Sequence, residues 1–181
     1  MIVCAGKSET FDFAMPIGVG LIESAIRLTE FCLQLRPKTL IFVGSAGSYG
    51  GFKPFDIATS QGAANIEVGF LKKMCYTPIE NVILSNTGLF DHHCVVNSSN
   101  YITTDASVSD YMLKRSIGLE NMEFFSVMRV AEEFGVPAGG VFCVTNFCNE
   151  NAHSDFTANH DRARALLKKH VEQNVIGKFE S

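Results

Sequence analysis

Apolar and polar positions along the chain alternate between short apolar runs and longer amphipathic stretches. "MIVCA" predicts a buried opening strand, and the weak alternation in "TFDFAMPI" suits a second. In "GVGLIESAIRLTEFCLQLRP", Ile22, Ala25, Ile26, Thr29 and Leu33 recur at helical spacing, predicting a helix buried along that stripe and ended by Arg36-Pro37. "KTLIFVG" predicts a strand covered on both faces, followed by a glycine-rich turn, "GSAGSYGG". "DIATSQGAA", "NVILSN" and "NYITTD" read as further strands. "LENMEFFSVMRVAEEFGVP", residues 119 to 137, predicts a helix with Met122, Phe125, Met128, Val130 and Phe134 inward, stopped at Gly135 and Pro137. "AGGVFCVTN" predicts a late strand whose Gly139-Gly140 pair marks a close neighbour. Residues 156–173 predict a C-terminal amphipathic helix.

Strands and helices in alternation imply an α/β fold on a parallel or mixed sheet. Without a repeat or linker, residues 1–181 read as a single domain. Such sheets bind ligands beyond the carboxyl ends of their strands. Four places qualify: the turn after "VCAG", "GSAG" after "LIFV", "TTDA" after "NYI", and "TNFCN" after "VFCV".

Composition narrows the function. The chain is 46% hydrophobic and 19% charged, which is too apolar for disorder. A net charge of −4 with no basic run argues against a nucleic-acid partner. The apolar runs are too short to cross a bilayer, and "MIVCAGKSE" lacks the plan of a signal peptide. Six scattered cysteines without a CxxC pair read as reduced, mostly buried thiols in a cytoplasm, with no zinc site. His92, His93, His153 and His160 fit no standard ligand spacing, so no metal or other cofactor is implied and they read as exposed or locally bonded. "GSAGSYGG" lacks both the P-loop and the GxGxxG spacing, so on pattern alone it is a tight turn before it is an anion cradle. Asp105 reads alone as a turn residue and Glu123 as a first-turn acid favoured by the helix dipole.

In combination these segments say more. "IGVGLIESA", "PKTLIFVGSAG", "PFDIATS", "NYITTDAS", "ENMEFFSVMRVAEEFGVP" and "VTNFCNENAHSDF" occur in the order of one family. The chain resembles the nucleoside phosphorylase/nucleosidase superfamily, most closely its methylthioadenosine/S-adenosylhomocysteine nucleosidase branch. Met-Glu before a helix ending in "FGVP" is the most specific piece. The resemblance covers about residues 2 to 170, in a chain shorter than usual members that lacks a strand pair before "IG" and part of the segment before "YITTD". It implies a three-layer α/β sandwich around a mixed twisted sheet, trimmed relative to the family.

The resemblance also implies roles. Glu123 would accept hydrogen bonds from the ribose hydroxyls, and Met122 would pack on the sugar. A carboxylate there orients the sugar and stabilises the positive charge that builds as an N-glycosidic bond breaks. Gly44 and Ser45 of "GSAG", with Asp105 and Ser107 of "TTDAS", would line the substrate site. Glu9 would activate water. The phosphorylases carry a phosphate-binding arginine where this chain has Phe42, so hydrolysis is favoured, with Lys7 as the one cation able to rescue a phosphate site. Asn146 stands where the nucleosidases have the aspartate that protonates the purine. An amide cannot donate that proton, yet it can bond a ring nitrogen or a 6-oxo group. The expected activity is hydrolytic cleavage of a purine nucleoside. The alternatives are a purine nucleoside phosphorylase and a catalytically degenerate nucleoside-binding or structural member. Family pockets are completed by a neighbouring subunit, and Phe11, Phe13, Phe52 and Phe55 lie in segments that so small a domain is not expected to bury in full, predicting a homo-oligomer, most simply a twofold dimer.

Overall fold

The computed structural model describes residues 1–85 and 87–177. Among the described residues, nine strands form one sheet: β1 (Ile2–Cys4), β2 (Met15–Pro16), β3 (Leu40–Ser48), β4 (Ile57–Ser60), β5 (Gly62–Ala64), β6 (Val82–Leu84), β7 (Val95–Ser98), β8 (Ile117–Asn121) and β9 (Ala138–Phe147). The helices are α1 (Leu21–Leu35), α2 (Val68–Leu71), α3 (Ser107–Leu113), α4 (Phe124–Glu133) and α5 (Ala152–Val171), the last running into a π-helical turn, Glu172–Ile176. The strand order is β2-β1-β3-β8-β7-β5-β6, with β9 paired to β3 and β4. β1 and β9 run parallel to β3 and β8 runs antiparallel to its far end. This is the expected mixed, helix-flanked sheet.

Two-residue periodicity in β3 and β9 sets the layers. Leu40, Phe42, Phe142 and Val144 face one core, shared with Leu28 of α1 and Phe124, Val127 and Met128 of α4. Ile41, Val43, Val141 and Cys143 face the other, shared with Ala163, Leu167 and Val171 of α5. Phe42, Phe124 and Phe142 form an aromatic triad with ring centroids 5.1 to 6.0 Å apart. Gly140 is required beneath it, because an added Cβ would lie 2.6 Å from the Phe142 ring and 2.8 Å from Phe124. The expected close neighbour of the Gly139-Gly140 pair is this aromatic cluster together with Phe90.

Several elements differ from their sequence reading. "GSAG" is no turn: β3 continues through Ser48, with the bend following at Gly50. "NYITTD" is irregular, and the strand lies just upstream at Val95–Ser98. In "TFDFAMPI" only Met15–Pro16 pairs. Residues 117–121 form β8 and the helix starts at Phe124, burying Phe124, Val127, Met128, Val130 and Ala131 while Phe134 reaches solvent. It ends as expected, at Gly135 with φ 63°. α1 is turned from its predicted stripe. It buries Ser24, Leu28 and Cys32, leaving Ile22, Ile26 and Leu33 57–70% exposed. The polar Ser24 fits inside because its hydroxyl donates to the Gly20 carbonyl at 2.6 Å. Phe11 is buried, and Phe13, Phe52 and Phe55 pack half-buried against the cores, so these four do not form the exposed patch expected of them.

Candidate functional site

Three of the four strand-end segments converge, as the sheet geometry requires. Residues after β1, the end of β3 and the end of β9 meet the β8–α4 junction around a cavity of about 330 Å³. Lys7, Glu9, Ser45, Met122, Glu123 and Asn146 line it together.

Glu123 occupies the N-cap position of α4 but makes no capping bond. Asn121 and Ser98 do that work. Asn121 Oδ1 accepts from the Phe124 amide at 3.1 Å and Ser98 Oγ accepts from the Phe125 amide at 2.9 Å. The first two amides of the helix are thus satisfied without the Glu123 side chain, which lines the cavity instead. Its carboxylate accepts from the Gly20 amide at 2.9 Å and Asn121 Nδ2 at 3.1 Å. Burial pushes the Glu123 carboxyl up to about 7, the Gly20 amide opposing the rise and the charge of Glu9 adding to it. A carboxylate so placed can still accept from the hydroxyls of a ligand.

Asn146 is aimed by an irregularity in β9. The β3–β9 register shifts after Ala46, so that Ala46 faces Val144 and Gly47 faces Asn146, with Thr145 as the extra residue. Bulges of this kind re-aim side chains beside functional sites. Asn146 Oδ1 accepts from the Thr145 hydroxyl at 2.8 Å and its Nδ2 donates to the Phe147 carbonyl at 3.0 Å. Each end of the amide keeps capacity for one more bond.

Glu9 is held from the strand below. The Ser45 amide donates to its Oε1 at 3.1 Å, and the Ser45 hydroxyl donates to the same oxygen. The amide of "GSAG" therefore cradles a carboxylate of the protein itself. Gly44 lies behind, where an added Cβ would come within 3.1 Å of Glu9 Oε2. It supports the site without lining it. Lys7 is exposed at the rim, on a backbone with φ 55°.

Asp105 and Ser107 are elsewhere. Asp105 Oδ1 accepts from the Ser107 amide at 2.9 Å in an exposed turn leading into α3, the role its residue type suggested. Ser107 lies outside the cavity lining, and Asp105 lines only a neighbouring hollow. Tyr101 and Ile102 of the same segment do line the cavity, as do Glu120 and Phe156. Glu120 is buried and bonded by the Thr103 amide at 2.9 Å and the Tyr49 hydroxyl at 2.5 Å. A glutamate inside a segment read as helix gave no sign of this. Phe42 is sealed in the aromatic triad, far from serving an anion.

His92 and His93 are locally bonded, their Nδ1 atoms accepting from the Gln61 and Thr59 amides, each at 3.2 Å. All six cysteines are free, and only Cys75 is exposed. Among the described residues no group of three His, Cys, Asp or Glu side chains could hold a metal ion, and no helix is long and apolar enough to cross a membrane.

Residues 93–175 match the family model of the Phosphorylase superfamily. No curated protein matches the sequence. Among solved structures, the chain is similar to an Asp-to-Asn mutant of the Helicobacter pylori 5′-methylthioadenosine/S-adenosylhomocysteine nucleosidase with 5′-methylthioadenosine in its active site, with a TM-score of 0.80, 14% identity and 95% of each chain covered. It is similar to futalosine hydrolase of Helicobacter pylori, with a TM-score of 0.79, 15% identity and 94% of each chain covered. The Neisseria meningitidis 5′-methylthioadenosine/S-adenosylhomocysteine nucleosidase in complex with methylthio-immucillin-A gives a TM-score of 0.78 at 14% identity, covering 94% of this chain and 95% of that one. At these identities the likeness is one of fold.

Proposed function

We propose that this protein is a member of the nucleoside phosphorylase/nucleosidase superfamily and that it cleaves the N-glycosidic bond of a purine nucleoside, using water. The observation that carries the reading is Glu123: a buried carboxylate at the head of a helix whose terminus is capped by other residues, lining a cavity shared with Asn146 and Glu9. Burying an ionisable acid is unfavourable unless the charge has work to do. Two vicinal ribose hydroxyls supply donors for it. Met122 beside it offers an apolar surface to the sugar.

Glu9 lines the same cavity, where its carboxylate can accept a hydrogen bond from water, the arrangement a general base needs. Water is favoured over phosphate because Phe42 is locked in the core and the Ser45 amide is spent on Glu9. Asn146 faces the base, with one amide hydrogen and one lone pair to offer. Tyr101, Ile102 and Phe156 supply the apolar walls a purine ring needs.

The protein works as a homo-oligomer in this account. α1 is apolar on both faces, with Leu28 and Cys32 inward and Ile22, Ile26 and Leu33 outward, as in a helix sandwiched between layers. The outward face borders a groove that shares Val19 and Met122 with the site.

Incubation with inosine, adenosine and methylthioadenosine, with and without phosphate, tests the activity by chromatography of free base. Base released without phosphate supports the reading. Base released only with phosphate makes the protein a phosphorylase, and saturable binding without release makes it a binder.

A further inference from the structure

His160 of α5 stands behind Glu9, on the side away from the substrate cavity, and its ring nitrogens are in unlike surroundings. Nε2 lies 3.3 Å from the Ser8 carbonyl oxygen. A carbonyl only accepts, so Nε2 carries the hydrogen, and in the neutral ring Nδ1 is then a bare lone pair. Nδ1 is buried without a hydrogen-bond partner among the described residues, 3.9 Å from Glu9 Oε1. Two acceptors thus face one another in a place where the side chains are only 12% and 13% exposed. An unbonded buried acceptor is costly, and such groups are ordinarily bridged by water. The space for a bridge is there. A small cavity of about 10 Å³, near the minimum for one water, is lined by Glu9, Ser45 and His160 together with Cys143 and Arg164. Neither of the last two competes for the proton. Burial pushes the Cys143 thiol up to about 12, and the Arg164 guanidinium donates to the Thr10 carbonyl at 2.8 and 3.1 Å. The Phe156 ring, 4.8 Å from the imidazole, closes the other side.

We propose that a single buried water joins Glu9 to His160, making His160 the positioning residue that relieves Glu9 of its proton during turnover. The proposal rests on Glu9 being the base of the hydrolysis described above. The attacking water forms its bond to C1′ and yields a proton to Glu9, while the C1′–N bond breaks and its electron pair leaves with the purine. Glu9 then gives its proton to the buried water, which passes one of its own to Nδ1. The carboxylate is restored, the water keeps its composition and the imidazole becomes imidazolium. The imidazolium returns its proton to bulk solvent, from which the departing base takes one.

The test combines a high-resolution crystal structure with kinetics of His160→Gln, His160→Phe and Glu9→Gln. The structure should show one ordered water within about 2.6–3.2 Å of both Nδ1 and the Glu9 carboxylate. His160→Gln can accept a hydrogen bond but cannot carry the proton. Its kcat should fall about tenfold with KM and melting temperature unchanged, and His160→Phe should lose at least as much. In the Glu9→Gln background, His160→Gln should cost nothing further. Full kcat in His160→Gln beside an inactive Glu9→Gln overturns the relay alone, and so does a cavity without that water. Normal turnover by Glu9→Gln overturns instead the assignment of the base.

Discussion

Replacing Glu123 with glutamine removes a buried charge while keeping volume, and the two consequences have opposite signs. Burial raises the carboxyl to about 7 from an ordinary value of 4.5. Between those pH values the folded state binds more protons than the unfolded, so the group's contribution to stability falls as pH rises through that window, by about 3 kcal/mol at pH 8. Glutamine abolishes that penalty. It also sets an amide between two donors, the Gly20 amide and Asn121 Nδ2, so that one contact becomes donor against donor. Asn121 cannot flip to help, because its Oδ1 already accepts from Ser98 Oγ and the Phe124 amide. That mismatch costs about 1–3 kcal/mol, leaving stability at pH 8 within about 2 kcal/mol of the parent. Affinity has no such compensation. Exchanging two charge-assisted bonds for neutral ones costs about 2–3 kcal/mol, or roughly 30- to 150-fold in Kd. Calorimetric titration with a non-cleavable nucleoside analogue, alongside thermal melting at pH 8, reads both. Unchanged affinity with a melting point lower by more than about 10 °C would refute the ribose assignment and return Glu123 to a structural role.

Other consequences follow from the same geometry. Nucleoside affinity should weaken about tenfold for each pH unit below about 7 and level off above it, because ribose hydroxyls favour the ionised Glu123; Glu123→Gln should flatten this curve, and a parent already flat between pH 5 and 8 contradicts it. Asn146→Asp should raise turnover of adenosine about a hundredfold, with the gain falling away as the new acid ionises, while a 6-oxopurine nucleoside gains little or loses. If neither substrate responds, Asn146 does not face a base. Ile26→Glu on the outward face of α1, where Ile26 is 57% exposed, should dissociate the oligomer in light scattering without altering the circular dichroism spectrum; an already monomeric parent sinks the assembly proposal.

What the sequence reveals and conceals has physical causes. The β3 and β9 strands were legible because two-sided burial leaves continuous apolar runs. The end of α4 was legible because Gly135 takes a left-handed conformation that glycine favours. Its beginning was not, because Ile117–Asn121 is apolar enough to extend a helical pattern and only tertiary pairing with β3 and β7 makes it a strand. The α1 stripe misled for a related reason. A helix apolar on two faces shows a periodicity that cannot say which face turns inward. The grouping of Glu9, Ser45, Met122, Glu123 and Asn146 was anticipated by the order of the motifs, whereas Asp105 obeyed its local turn chemistry instead. Glu120, Tyr101 and the pairing of Glu9 with His160 depend on contacts between residues far apart in sequence. No spacing encodes those.

The central claim, cleavage of a nucleoside by water at this site, is tested most directly by one single-turnover reaction in ¹⁸O-enriched water containing inorganic phosphate. Mass spectrometry of the sugar product should find the label on ribose C1, with label incorporation lost in Glu9→Gln. Unlabelled ribose 1-phosphate as the product, or free base formed equally well by Glu9→Gln, contradicts the account.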